Sequence, residues 1–193
     1  MKKLLITLLL LAGCMLNAQD MKALLADATR MYKNTTSGKY EALLADTYPK
    51  IFEVVPKEKM LQVLKSTLQG DGYIMDVLDA EPNFKFGDVK TVNGGFYTLV
   101  DHDLLIKMTF VEPLTGLEAK EMLKNLKTSM KTEEITFSPK FNSFTIKKRA
   151  DVIAISNSVT AGKWKFLNRA NPAMMTKVLG EDAVSYTHLT LPT

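Results

Sequence analysis

The sequence predicts an α+β fold in which N-terminal helices pack on one face of an antiparallel sheet, with one extra helix inserted between long strands. Three observations lead there. Apolar residues recur at helical spacing through the first third of the chain, and the period drops to two from Tyr73 onward. A strong hairpin signal, Asn93-Gly94-Gly95, then introduces a strand of unusual length. Helices first and long strands afterwards is the order of an α+β domain with its helices on one sheet face.

The elements follow in order. Asp20–Lys33 places Met21, Leu24, Leu25, Ala28 and Met31 on one helical face. A polar break at residues 34–38 separates it from a second helix carrying Tyr40, Leu43 and Leu44, which Pro49 disturbs. Pro56 suits the first turn of a third helix, with Glu58 near its positive end. Met60, Leu61, Val63, Leu64 and Leu68 give that helix a broad apolar face, and Gly70-Asp71-Gly72 stops it. Tyr73–Glu81 and Asn83–Val92 read as strands, the second with a bulge at Gly87. Phe96–Val111 is a long strand with Val100, His102, Leu104, Ile106, Met108 and Phe110 on one face and Asp101, Asp103, Lys107 and Thr109 on the other. Leu117–Lys131 is an amphipathic helix, Ile135–Phe137 a short strand and Phe144–Ser156 a second long one. Ala161-Gly162 turns into Lys163–Arg169, where Trp164 and Phe166 share a face, and Pro172–Leu179 begins a last helix.

The two ends of the chain read differently from its middle. Residues 1–18 have the form of a secretory signal. Lys2 and Lys3 precede an apolar run over Leu4–Gly13, which is too short for a permanent span, and small Ala18 stands before Gln19. The ending Leu16-Asn17-Ala18-Gln19 resembles signals common in Bacteroidetes-type exported proteins. Leu11-Ala12-Gly13-Cys14 resembles a lipobox, in which Cys14 would be lipidated and become the first residue. Val184–Thr193 back-translates to a string that resembles a transposon-end sequencing adapter, so it is set apart from fold reasoning. The working domain is then 19–183, exported to the periplasm or secreted, or held at the membrane through lipid on Cys14.

Composition limits the chemistry. Of 193 residues 46% are hydrophobic and 24% charged, which suffices for a packed core. Without Lys2 and Lys3 the 25 basic residues fall to 23 against 21 acids, and the net charge falls from +4 to +2. That balance does not suggest a nucleic-acid partner. Cys14 is the sole cysteine, so the mature domain has no disulfide and no thiol nucleophile. Phosphate-binding Gly loops, G-x-S-x-G and H-E-x-x-H are absent, and no cofactor or metal is predicted.

His102 is the sharpest candidate for chemistry. It shares an apolar strand face, and with a carboxylate from Asp76, Asp79 or Glu81 it could serve as a general base. The competing reading is a hydrogen-bonded structural histidine. In Asp101-His102-Asp103 the acids point away from the imidazole, which argues against a metal cluster. The run Lys147-Lys148-Arg149, with Lys140 nearby, reads as a solvated strand edge. Of the eleven methionines, Met21, Met31, Met60, Met122 and Met130 on helix faces and Met75 and Met108 in strands read as core filling. Val100, Leu104, Met108, Trp164 and Phe166 are the expected lining of an interior pocket.

The element order, with the late stretch Gly162-Lys163-Trp164-Lys165-Phe166, resembles the nuclear transport factor 2-like (SnoaL-like) or cystatin-like group. The resemblance implies a cone of helices over a bent sheet. It does not fix a function, because that group includes enzymes, binding modules and assembly domains. The leading expectation is an exported, non-catalytic domain that uses its helix–sheet interior for packing or for holding a small apolar ligand. The alternatives are a cofactor-free SnoaL-like enzyme using His102, and a cell-envelope module that binds another protein.

Overall fold

The computed structural model describes residues 21–169 and 172–180; the expected signal and adapter segments lie outside them. Helix α1 occupies residues 21–36, followed by α2 (Tyr40–Asp46), a 3-10 turn (Pro49–Glu53) and α3 (Lys57–Leu68). The strands are β1 (Gln69–Gly70), β2 (Tyr73–Leu78), β3 (Lys85–Phe86), β4 (Lys90–Val92), β5 (Gly95–Phe110), β6 (Ile135–Ser138), β7 (Ser143–Ser156) and β8 (Lys165–Asn168). Helix α4 (Gly116–Met130) stands between β5 and β6, and α5 (Pro172–Leu179) follows β8.

The sheet is built around β5 and β7, which pair antiparallel from Phe96↔Ser156 to Thr109↔Ser143. Each has short strands along its outer side. β2, β3 and β4 line up on β5, and β6 and β8 line up on β7. β1 extends β2, giving eight antiparallel strands that do not close into a barrel. The expected strand Asn83–Val92 is divided. Five residue steps from Lys85 to Lys90 face four from Asp101 to Tyr97, so one extra residue bulges out near Gly87. The Gly87 amide still donates to Leu99 O at 2.9 Å, and buried Thr98 donates its hydroxyl to Gly87 O at 2.7 Å.

Local chemistry explains the boundaries. Pro49 opens the 3-10 turn because its fixed φ suits a first turn and its missing N–H costs nothing there. Asn93 (φ 48°) and Gly94 (φ 75°) make the hairpin into β5, both in the left-handed region that such a turn requires. Thr115 and Glu118 cap α4 reciprocally. The Glu118 carboxylate accepts from the Thr115 amide at 2.8 Å, and the Thr115 hydroxyl accepts from the Glu118 amide at 3.3 Å. Gly70 lies under the Tyr73 ring so closely that a Cβ there would stand 2.3 Å from its Cζ.

Three apolar clusters fill the molecule, and their placement amends the expectation of helices on one face alone. On the His102 face, α1 covers one end of the sheet, packing Leu24, Ala28 and Met31 on Val100, Ala154, Trp164 and Phe166. α4 covers the other end of that face, with Ala119 and Leu126 against Ile106, Met108, Phe144 and Ile146. The opposite face carries its own cluster, in which Tyr48, Ile51, Met175 and Val178 pack on Ile153, Ile155 and Leu167. The 3-10 turn and α5 thus form a layer there, and the alternating pattern of β7 is apolar on both sides near its end.

α3 departs furthest from expectation. Its apolar stripe contains no buried residue, and Val63 is 55% exposed. Met60, Leu61, Leu64 and Leu68 are only half-buried.

Candidate functional site

The site begins with the register of β5. His102 lies opposite Ala150 of β7, between Val100 under α1 and Ile106 under α4. It is 5% exposed. Tyr32 of α1 meets the imidazole edge-on, with ring centres 5.8 Å apart and planes at 89°, and Phe84 lies 5.9 Å away. The imidazole Nδ1 has no hydrogen-bond partner. Burial in this aromatic setting holds the His102 pKa below its ordinary value, against the weaker pull of Asp101, so the ring is neutral near neutral pH.

The Tyr32 hydroxyl is the second buried polar atom without a partner of normal hydrogen-bond geometry. Burial raises its pKa, and the nearby Ala80 amide opposes that shift without closing a well-formed bond. Two orphaned polar groups on adjoining rings stand out, because buried polar atoms are nearly always paired.

His102 opens onto a cavity of about 440 Å³. His102, Leu104, Ala150 and Val152 supply its sheet side, and Met31, Leu43, Leu44, Met60 and Leu64 from α1, α2 and α3 cover it. Phe166, Leu167 and Met174 close the end beside β8. Met60 and Leu64 of α3 therefore face open space in place of a filled core, while Leu68 borders a neighbouring crevice and Leu61 an outer groove. Polar groups are few among the described lining residues: Thr35, Asp46, Thr47, Asp151, Asn168 and His102 itself.

Asp46 is the most constrained of them. It is 3% exposed at the end of α2. Arg30 donates to its Oδ1 from Nε (3.0 Å) and Nη2 (2.8 Å), and Asn34 donates to Oδ2 (2.9 Å). The Lys165 ammonium stands 3.7 Å from Oδ1 and donates to Ala45 O at 2.6 Å. Arg30 also pairs with Asp27, whose other oxygen accepts from the Trp164 amide at 3.1 Å. One network thus ties α1, α2 and the entry to β8 around one wall of the cavity. The expected stretch Gly162–Phe166 participates through both Trp164 and Lys165. Sequence reasoning missed Asp46; the available signal was an acid set between apolar Leu44 and Tyr48.

The expected pocket lining is only partly realised. Leu104 and Phe166 line the cavity. Val100 and Trp164 are instead packed under α1, and Met108 is packed under α4. Alternation had placed Val100 and Met108 on the correct face, but it does not tell which part of a face a helix covers.

Asp76 and Asp79 are exposed and line a neighbouring crevice of about 420 Å³ with Thr36, Ser37 and Tyr40. That crevice shares Thr35, Leu43 and Leu64 with the His102 cavity. Nδ1, the nitrogen through which a carboxylate would orient a histidine base, is not held by Asp76, Asp79 or Glu81.

Asp101 and Asp103 point to the opposite face, where Arg149 bridges them at 2.7 and 3.0 Å. A hydrogen bond from Asn83 is the main reason the Asp103 carboxyl sits below its usual pKa; Arg149 adds to it and desolvation opposes it. Lys147 pairs with Glu134, and Lys140 lies over the Phe141 ring. Scans against protein-family models, curated proteins and solved structures return no match to this chain.

Proposed function

We propose that the protein is an exported, non-catalytic domain that holds a small apolar ligand in the cavity between α1–α3 and the sheet. The carrying observation is the cavity itself, about 440 Å³ and lined mainly by Met, Leu, Ile, Val and Phe side chains that the fold does not bring together. At roughly 30 Å³ per water molecule it encloses the volume of about fifteen waters, enough for a ligand of two or three fused or linked rings. Apolar residues left facing such a space favour an occupant that removes both it and them from water.

The export signal read from residues 1–18 puts that activity in the periplasm or outside the cell, with lipid on Cys14 as the alternative anchor. Mass spectrometry of the mature N-terminus separates Gln19 from diacylated Cys14. The finer family reading, a nuclear transport factor 2-like or SnoaL-like cone, rests on the helix-then-sheet order and is consistent with an interior ligand. The enzyme reading of that group is the weaker one here, since no acid among the described residues orients His102 through Nδ1.

The test uses N-phenyl-1-naphthylamine, a neutral dye that brightens in apolar surroundings. The protein should bind it saturably, and Ala150→Leu, which fills the space beside His102, should weaken binding at least ten-fold without lowering thermal stability. Within a series of linear alcohols, each added methylene should tighten binding about four-fold, as ~0.8 kcal/mol per buried methylene implies, until the cavity is full. Uptake that ignores Ala150→Leu removes this reading.

A further inference from the structure

Resting on the ligand-binding reading, we infer that the occupant carries a neutral, hydroxyl-type hydrogen-bonding head seated against His102, and that the cavity discriminates against carboxylates. Three observations support this. His102 is 5% exposed, lines the cavity, and has an unpartnered Nδ1. A neutral imidazole offers one donor and one acceptor, so a hydroxyl matches either nitrogen that the ring presents. A hydroxyl that pairs a ring nitrogen bordering the cavity replaces hydration that a purely apolar occupant would strip away.

Charge decides the rest. The described lining residues include two carboxylates, Asp46 and Asp151, and no lysine or arginine. Both acids are already held from behind the wall, Asp46 by Arg30 and Asp151 by Arg169 at 2.7 Å. An anionic head in this space would lose its hydration, meet the Asp46 carboxylate and find no lysine or arginine among the described lining residues. The nearest uncommitted polar group is the imidazole, in a setting that disfavours the protonated form a carboxylate would need. The adjoining crevice extends the same preference, because Asp76 and Asp79 stand there on the far side of Thr35, Leu43 and Leu64.

The experiment displaces N-phenyl-1-naphthylamine from the purified protein at pH 7.5 with three molecules of similar size: decan-1-ol, undecane and decanoate. Decan-1-ol should displace the dye at concentrations at least five-fold below undecane and ten-fold below decanoate. In His102→Phe the alcohol should lose its advantage and bind no better than the alkane, while both still bind. His102→Gln, which keeps a hydrogen-bonding group, should retain part of the preference and serves if the phenylalanine variant does not fold. Equal or better displacement by decanoate, or an alcohol preference that survives His102→Phe, overturns the inference and leaves the apolar-ligand reading standing. Dye uptake that is absent or indifferent to Ala150→Leu overturns the ligand-binding reading itself.

Discussion

Replacing Arg30 with methionine is the sharpest probe of how the cavity wall is held. The change keeps a long flexible stem on α1 and removes both hydrogen bonds from the guanidinium to Asp46 Oδ1. Asp46 is 3% exposed and cannot turn to water without moving α2. Stripping one partner from a fully buried ion pair costs about 3–5 kcal/mol. Two features lower that figure. The Arg30 side chain is 47% exposed, and Asn34 and Lys165 still serve the carboxylate. A loss of about 2–3 kcal/mol is expected, equivalent to a fall of roughly 4–12 °C in Tm for a domain of this size.

Urea denaturation followed by circular dichroism measures the loss. The double variant Arg30→Met with Asp46→Leu should recover most of it, because no charge is then left buried. A loss under about 0.5 kcal/mol, or strict additivity of the two changes, refutes the claim that Asp46 depends on Arg30.

Other outcomes follow from the same geometry. His102 has a folded-state pKa below its unfolded value of about 6.5, so protons bind the unfolded chain preferentially and stability falls as pH drops from about 6.5 toward the folded pKa. His102→Phe should flatten that slope in melts taken between pH 8 and 5, and an unchanged slope assigns the acid sensitivity to other groups. Gly70→Ala should destabilise by about 1–3 kcal/mol, since the new methyl group meets the Tyr73 ring; a neutral result in thermal melts means the ring moves freely aside. Thr115→Ala removes one arm of the α4 capping box and should cost about 1 kcal/mol in the same assay, with Thr115→Ser nearly neutral.

The long strands were legible because only extended backbone turns successive side chains to opposite faces, and both sequences keep that alternation over many residues. That is why β5 and β7 fall within a residue of their expected limits. The division between His102 and its flanking acids was legible for the same reason. What the pattern left open was coverage. A strand shows which residues share a face, but not where along that face a helix lies, so Val100 and Met108 read as pocket residues although α1 and α4 cover them.

α3 shows the converse. Its stripe is as apolar as a core helix, and only its partial burial reveals that it roofs a void. The Asp46 network was not legible, because Arg30 and Lys165 lie far from it in sequence and nothing local to α2 reports their approach. The second apolar face was present in Ile153 and Ile155, which break the polar half of the alternation at the end of β7.

The cavity draws its walls from Met31 at one extreme and Met174 at the other. During synthesis from the N-terminus, α1–α3 therefore emerge with their greasy sides uncovered, and nothing completes the enclosure until β8 and α5 leave the ribosome. The walls of the cavity are in this sense completed late in synthesis. A nascent or prematurely ended chain would present an open apolar trough to whatever chaperone or membrane it meets on its way.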